Sequence, residues 1–66
     1  MSGRECRGIL EANGFQLVRQ RGSHMIMQKP TATSTITVPV PDHAELRIGT
    51  LSSIVRQSQL PRSLFE

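Results

Sequence analysis

Apolar and polar positions recur along the chain with two different periods, and the switches between them set the order of elements. Ser2 followed three residues later by Glu5 is a capping-box pattern. Cys6, Ile9 and Leu10 then recur at helical spacing as far as Gly14, a residue suited to the left-handed position that ends a helix. Gly8 inside this helix costs roughly 1 kcal/mol relative to Ala, so it either weakens the helix or marks a close approach to another backbone. From Phe15 to Arg19 the period becomes two, with Phe15 and Leu17 on one face, and Gln20-Arg21-Gly22-Ser23 supplies a polar turn. The next strand, His24 to Lys29, can turn inward either Met25 and Met27 or His24 and Ile26. The first arrangement is preferred, because the second takes an imidazole and an amide out of water without partners. His24, Ile26 and Gln28 are therefore expected outward. After a loop over Pro30 to Ser34, the segment Thr35 to Val40 places Ile36, Val38 and Val40 on one face, and Pro39 and Pro41 end the strand. Leu51, Ile54 and Val55, flanked by Leu46, Ile48 and Leu60, predict a second amphipathic helix that stops before Pro61.

The order is α-β-β-β-α. Three antiparallel strands with one apolar face and two helices with one apolar stripe each are satisfied most simply by an α+β fold. In it both helices pack on one face of the sheet and the other face stays open. One domain spanning residues 1–66 is expected, with residues 61–66 either frayed or docked through Leu64 and Phe65.

Length and composition narrow the function. A chain of 66 residues buries only about 60% of its unfolded surface, which argues for one thin core and against a deep cofactor pocket. No apolar run approaches the roughly 18 residues of a membrane span and no signal segment opens the chain, so the cytoplasm is expected and a membrane is not. Cys6 is the single cysteine; it has no disulfide partner or zinc-ligand neighbours and is expected in the core. Neither a Walker motif nor a dinucleotide fingerprint is present, so no small-molecule cofactor is expected.

The net charge of +3 is unevenly spread: between Phe15 and Pro41 the charged residues are Arg19, Arg21 and Lys29, with no acid among them. An outward His24 directly after a glycine turn, with cations before and after it, forms the one chemical cluster. Cleaving RNA needs a base for the ribose 2′-hydroxyl and cationic donors for the phosphate, and imidazole among Arg and Lys meets both demands. Without an acid partner, His24 reads more simply, on residue chemistry alone, as a solvated residue. Ser23 beside it is no hydrolase nucleophile, since neighbours on a strand point to opposite faces. His43, between Asp42 and Glu45, reads as part of a solvated acidic loop.

With Arg19-Gln20-Arg21-Gly22-Ser23-His24, Thr37-Val38-Pro39, and Gly49-Thr50-Leu51 followed by Ile54 and Gln57, the chain resembles the HicA family of toxin-antitoxin messenger-RNA interferases over nearly its whole length. The resemblance implies a fold similar to double-stranded-RNA-binding domains and an endoribonuclease that halts translation. It also implies inhibition by a HicB-type antitoxin covering the active face. It puts the catalytic histidine at His24. Arg19, Arg21, Ser23 and Lys29 are then the expected RNA contacts, and no metal is required in principle. The chain departs from the family pattern at Met27, where an aromatic is common, and at Ser58-Gln59, where Ala-Gly is frequent. With no Tyr or Trp and Phe15 assigned to the core, no base-stacking platform is expected and specificity should be loose. A non-catalytic RNA-binding module of the same fold is the alternative.

Overall fold

The computed structural model describes residues 1–66. Its elements are α1 (Gly3–Ala12), β1 (Gln16–Arg21), β2 (His24–Pro30), β3 (Thr35–Pro41), α2 (Ile48–Ser58) and a 3-10 turn, Arg62–Phe65. The capping box forms as expected: the Glu5 backbone N–H donates to Ser2 Oγ at 3.0 Å, and the Ser2 N–H donates to Glu5 Oε1 at 2.8 Å. Two donors that the first helical turn would leave orphaned are thereby satisfied.

The sheet is antiparallel with spatial order β1-β2-β3. Strand β1 runs two residues further than the alternation alone predicts, so the hairpin closes on Gly22-Ser23, with Gly22 at φ +59° in the first central position of the turn. A two-residue turn closes on a hydrogen-bonded pair, here Arg21 and His24. Alternation then aims the backbone groups of Met25, Met27 and Lys29 at β3. The nitrogens of Pro39 and Pro41 face the free edge, where a missing N–H breaks no ladder bond. Pro41 therefore ends β3 rather than lying beyond it.

Met25, Met27, Val38 and Val40 are fully buried beneath the helices, together with Cys6 and Leu10 of α1, Ile54 and Val55 of α2, Phe15, Leu46 and Phe65. The thin single core is as expected, and burial pushes the Cys6 thiol up to about 11. The C-terminal residues dock through the buried Phe65 and through Arg62, whose Nη2 donates to Ser52 Oγ at 3.0 Å, while Leu64 stays 40% exposed. Ile48, expected to flank the core, is 85% exposed at the start of α2. Gly8 has no neighbour near its would-be Cβ, so the close backbone approach lies instead at Gly3. A Cβ there would overlap the Pro41 carbonyl oxygen, while the Gly3 N–H donates to the His43 carbonyl at 2.9 Å. The same end is clamped by Arg4, whose Nε donates to Asp42 Oδ1 at 3.1 Å.

Helix α2 ends at Gln59, a non-glycine residue in the left-handed region at φ 62°. The buried Ser58 hydroxyl donates to the Val55 carbonyl at 2.7 Å and accepts from the Leu60 N–H at 3.2 Å, completing the helix end. The family's frequent glycine would relieve the strain that a Cβ creates here. Gln59→Gly is therefore expected to stabilise the fold by roughly 0.5–1 kcal/mol, raising the thermal midpoint by about 2–8 °C; an unchanged or lower midpoint in calorimetry would refute this.

Both clamp carboxyls are held below the ordinary carboxylate range, Asp42 by its hydrogen bond to Arg4 and Glu5 by the Ser2 backbone N–H. A depressed folded-state value gives a stabilisation present above the unfolded-state value and lost as pH falls through the folded one. The thermal midpoint should hold from pH 7 to about 5 and fall below about 4, with a shallower fall in an Asp42→Asn, Glu5→Gln double variant.

Candidate functional site

The alternation of β2 fixes the two faces of the sheet. Met25 and Met27 point to the helices, so His24, Ile26 and Gln28 belong to the open face, as preferred from sequence. An aromatic in place of Met27 would likewise face the core, so this departure has no bearing on base stacking. Both phenylalanines are buried, and the open face carries no aromatic.

Position on β1 follows from an irregularity that the sequence pattern did not reveal. Leu17 pairs with Met27 on the helix face, but Arg19, not Val18, pairs with Ile26, so Val18 is the extra residue of a β-bulge. Strict alternation from Leu17 would have sent Arg19 and Arg21 to the helix face. The bulge resets the count, and Gln20 pairs with Met25 while Arg21 pairs with His24. Arg19 and Arg21 thus share the open face with the histidine. Ile26 lies between Arg19 and Pro39 in the ladder and is only 8% exposed although it faces away from the core.

Lys29 does not join them. It has the parity of Met25 and Met27, and its Nζ sits 5.9 Å from the centroid of the Phe15 ring, within cation–π range. Its methylenes lie against Gly14. Ser23 occupies the turn beside His24, exposed, with its carbonyl accepting the Asp42 N–H at 2.6 Å and its hydroxyl making no bond to the protein.

His24, Arg19 and Arg21 make no side-chain hydrogen bond or ion pair within the chain, and none of the three strands contains an acid. Four of the five acids are engaged elsewhere: Glu5 with the Ser2 N–H, Glu11 with Arg7, Asp42 with Arg4, and Glu45 with the N-terminal ammonium at 2.7 Å. Two unpaired guanidinium groups and an unpaired imidazole thus stand on an acid-free surface, an arrangement whose chemistry suits a phosphodiester with a proton acceptor beside it. On the same face the Gln28 amide donates to Thr37 Oγ1 at 3.3 Å. The one cavity, about 600 Å³, lies elsewhere, between residues 31–37 and the end of α2 at Gln57 and Gln59, and holds no ionisable group.

Residues 3–60 match the protein family described as HicA toxin of bacterial toxin-antitoxin. No curated protein and no solved structure gave a significant match.

The placement of the cations yields a direct test. In binding of a single-stranded oligonucleotide, Arg19→Ala and Arg21→Ala should each weaken affinity and flatten the dependence of log K on log salt by about 0.7. Lys29→Ala should leave the slope unchanged; a slope change in Lys29→Ala equal to those of the arginines would contradict the two-face assignment.

Proposed function

Because the chain belongs to the HicA toxin family of bacterial toxin-antitoxin systems, we propose that it is an endoribonuclease that cuts messenger RNA on the open face of its sheet. The observation that carries this reading is the cross-strand pair of Arg21 and His24 on a surface free of acids. His24 takes the proton of a ribose 2′-hydroxyl, whose oxygen attacks the adjacent phosphorus. Arg21, supported by Arg19, holds the phosphate oxygens as charge builds on them. Ser23 contacts the same strand of RNA through its free hydroxyl. Lys29 is left out of the phosphate site by its position over Phe15.

The products of such a step are a 2′,3′-cyclic phosphate and a 5′-hydroxyl, and neither a metal ion nor a small-molecule cofactor takes part. The absence of an exposed aromatic removes the usual means of gripping an unstacked base, so the enzyme is loosely specific. Family membership implies an antitoxin partner. A HicB-type antitoxin that presents acidic groups to Arg19, Arg21 and His24 would inhibit by masking the site, with charge complementarity speeding its capture. A messenger-RNA substrate puts the reaction in the cytoplasm; separately, no helix is long and apolar enough to cross a membrane.

The test is cleavage of an end-labelled messenger RNA in excess chelator by the wild type and by His24→Ala, both checked as folded by circular dichroism. The wild type should leave 2′,3′-cyclic ends and the variant should be slower by about 100-fold or more, with RNA affinity little changed. Equal cleavage by both proteins would remove His24 from the chemistry. Cleavage by neither, with RNA still bound, would make the protein a binding module.

A further inference from the structure

The step just described leaves one proton unsupplied, since the departing 5′-oxygen must be protonated as its bond to phosphorus breaks. We propose that His43 is the general acid of this site, an inference that rests on the reading of His24 as its base.

The backbone puts the two histidines on one face. Pro41 is the β3 residue directly across from His24. One residue further, the Asp42 N–H donates to the Ser23 carbonyl at 2.6 Å, which continues the ladder beyond the end of the strand. Beyond that, the His43 carbonyl accepts the Gly3 N–H at 2.9 Å, and the Pro41 carbonyl lies against the same glycine. Two carbonyls separated by one residue and aimed at one neighbour describe an extended chain from Pro41 to His43. Side chains alternate along such a chain, so His43 shares the face of Pro41 and His24, while Asp42 turns to the helix side and its ion pair with Arg4.

His24 and His43 are thus diagonal neighbours, a relation in which Cα atoms lie about 7–8 Å apart and long side chains can meet. That separation accommodates one phosphodiester between two imidazoles. In the turn that leads into His24, the space where a Gly22 side chain would stand is open. Both histidines are exposed and neither makes a side-chain bond within the protein. The charged groups near this corner are Arg21 beside His24, Asp42 and Arg4 paired behind His43, Arg7 engaged with Glu11, and Glu45 held by the N-terminal ammonium. The carboxylate in electrostatic reach of His43 is that of Asp42, which Arg4 already engages, and the unpaired Arg21 lies on the other flank of His24.

The step balances with no co-reactant. The 2′-oxygen forms a bond to phosphorus as His24 removes its proton. The phosphorus–5′-oxygen bond breaks with its electron pair staying on oxygen, which takes the proton of the His43 imidazolium. The products are the cyclic phosphate and a 5′-hydroxyl, with His24 protonated and His43 neutral; exchange with water restores both.

A sulfur leaving group isolates this role, because a thiolate departs without a proton. Two oligoribonucleotides of one sequence are compared, with ordinary oxygen or a bridging 5′-sulfur at the linkage that the wild type cuts. His43→Ala is expected to lose about 100-fold or more on the oxygen substrate and to cut the sulfur substrate at close to the wild-type rate. His24→Ala should be slow on both. His43→Ala at the wild-type rate on the oxygen substrate, or slowed equally on both, overturns the proposal while leaving the ribonuclease reading intact. Failure of the wild type to cut, or wild-type rates in His24→Ala, overturns that reading and the proposal with it. The variant retains the backbone bond between the His43 carbonyl and Gly3, and circular dichroism verifies its fold.

Discussion

One extra residue in β1 decides what the open face of the sheet can do. A strand buries alternate residues, so the chain that turns Leu17 toward the core would turn Arg19 and Arg21 inward as well, against a layer of methionine and valine. Guanidinium groups in such a layer would need partners that the core does not contain. The bulge at Val18 shifts the count by one and sends both arginines outward. Arg21 then stands across from His24, and Arg19 across from Ile26. Lys29 has no such correction: it keeps the parity of the buried methionines, and its long stem reaches the rim over Phe15, where the ammonium finds an aromatic face instead of an acid.

The other anchor of the face is the start of α1. Glycine at position 3 lets the helix backbone lie against the last carbonyls of β3, and the Arg4–Asp42 pair and the Ser2–Glu5 cap lock the same corner. A helix on one side of the sheet thereby sets the path of Pro41 to His43 on its rim. The Asp42 N–H to Ser23 bond carries that constraint to the turn that introduces His24. The candidate site is therefore held by backbone contacts from the helix side, which leaves Arg19, Arg21 and His24 free of structural duties.

Much of this was legible in the sequence. The capping box, the element order, the inward methionines and the outward histidine each follow from a local pattern with a local physical cause. What escaped were features that exist only between strands. A bulge depends on register with a partner, and Val18 carries no signature of it. Grouping Lys29 with His24 by closeness in the chain ignored that five residues on a strand is an odd number and reverses the face. His43 is an exposed loop residue, as its acidic neighbours suggested, but the bond from the Gly3 N–H to its carbonyl is one that no local pattern announces. The exposed Ile48 reversed simple hydrophobic expectation at the start of α2, whereas the choice between a frayed and a docked tail, open in the sequence, falls to docking through the buried Phe65.

Pro39 and Pro41 bear on how the protein behaves in a crowd. An unpaired strand edge is a template on which a second chain can zip, and repetition of that event builds fibrils. Along β3 the positions nearest His24 offer acceptors without donors, and the Pro41 carbonyl is shielded by Gly3. A strand approaching there would find half its own acceptors unmet. The His24 end of the sheet is thus a poor seed for polymerisation, so its surface can remain uncovered and basic without the chain paying for that openness in aggregation.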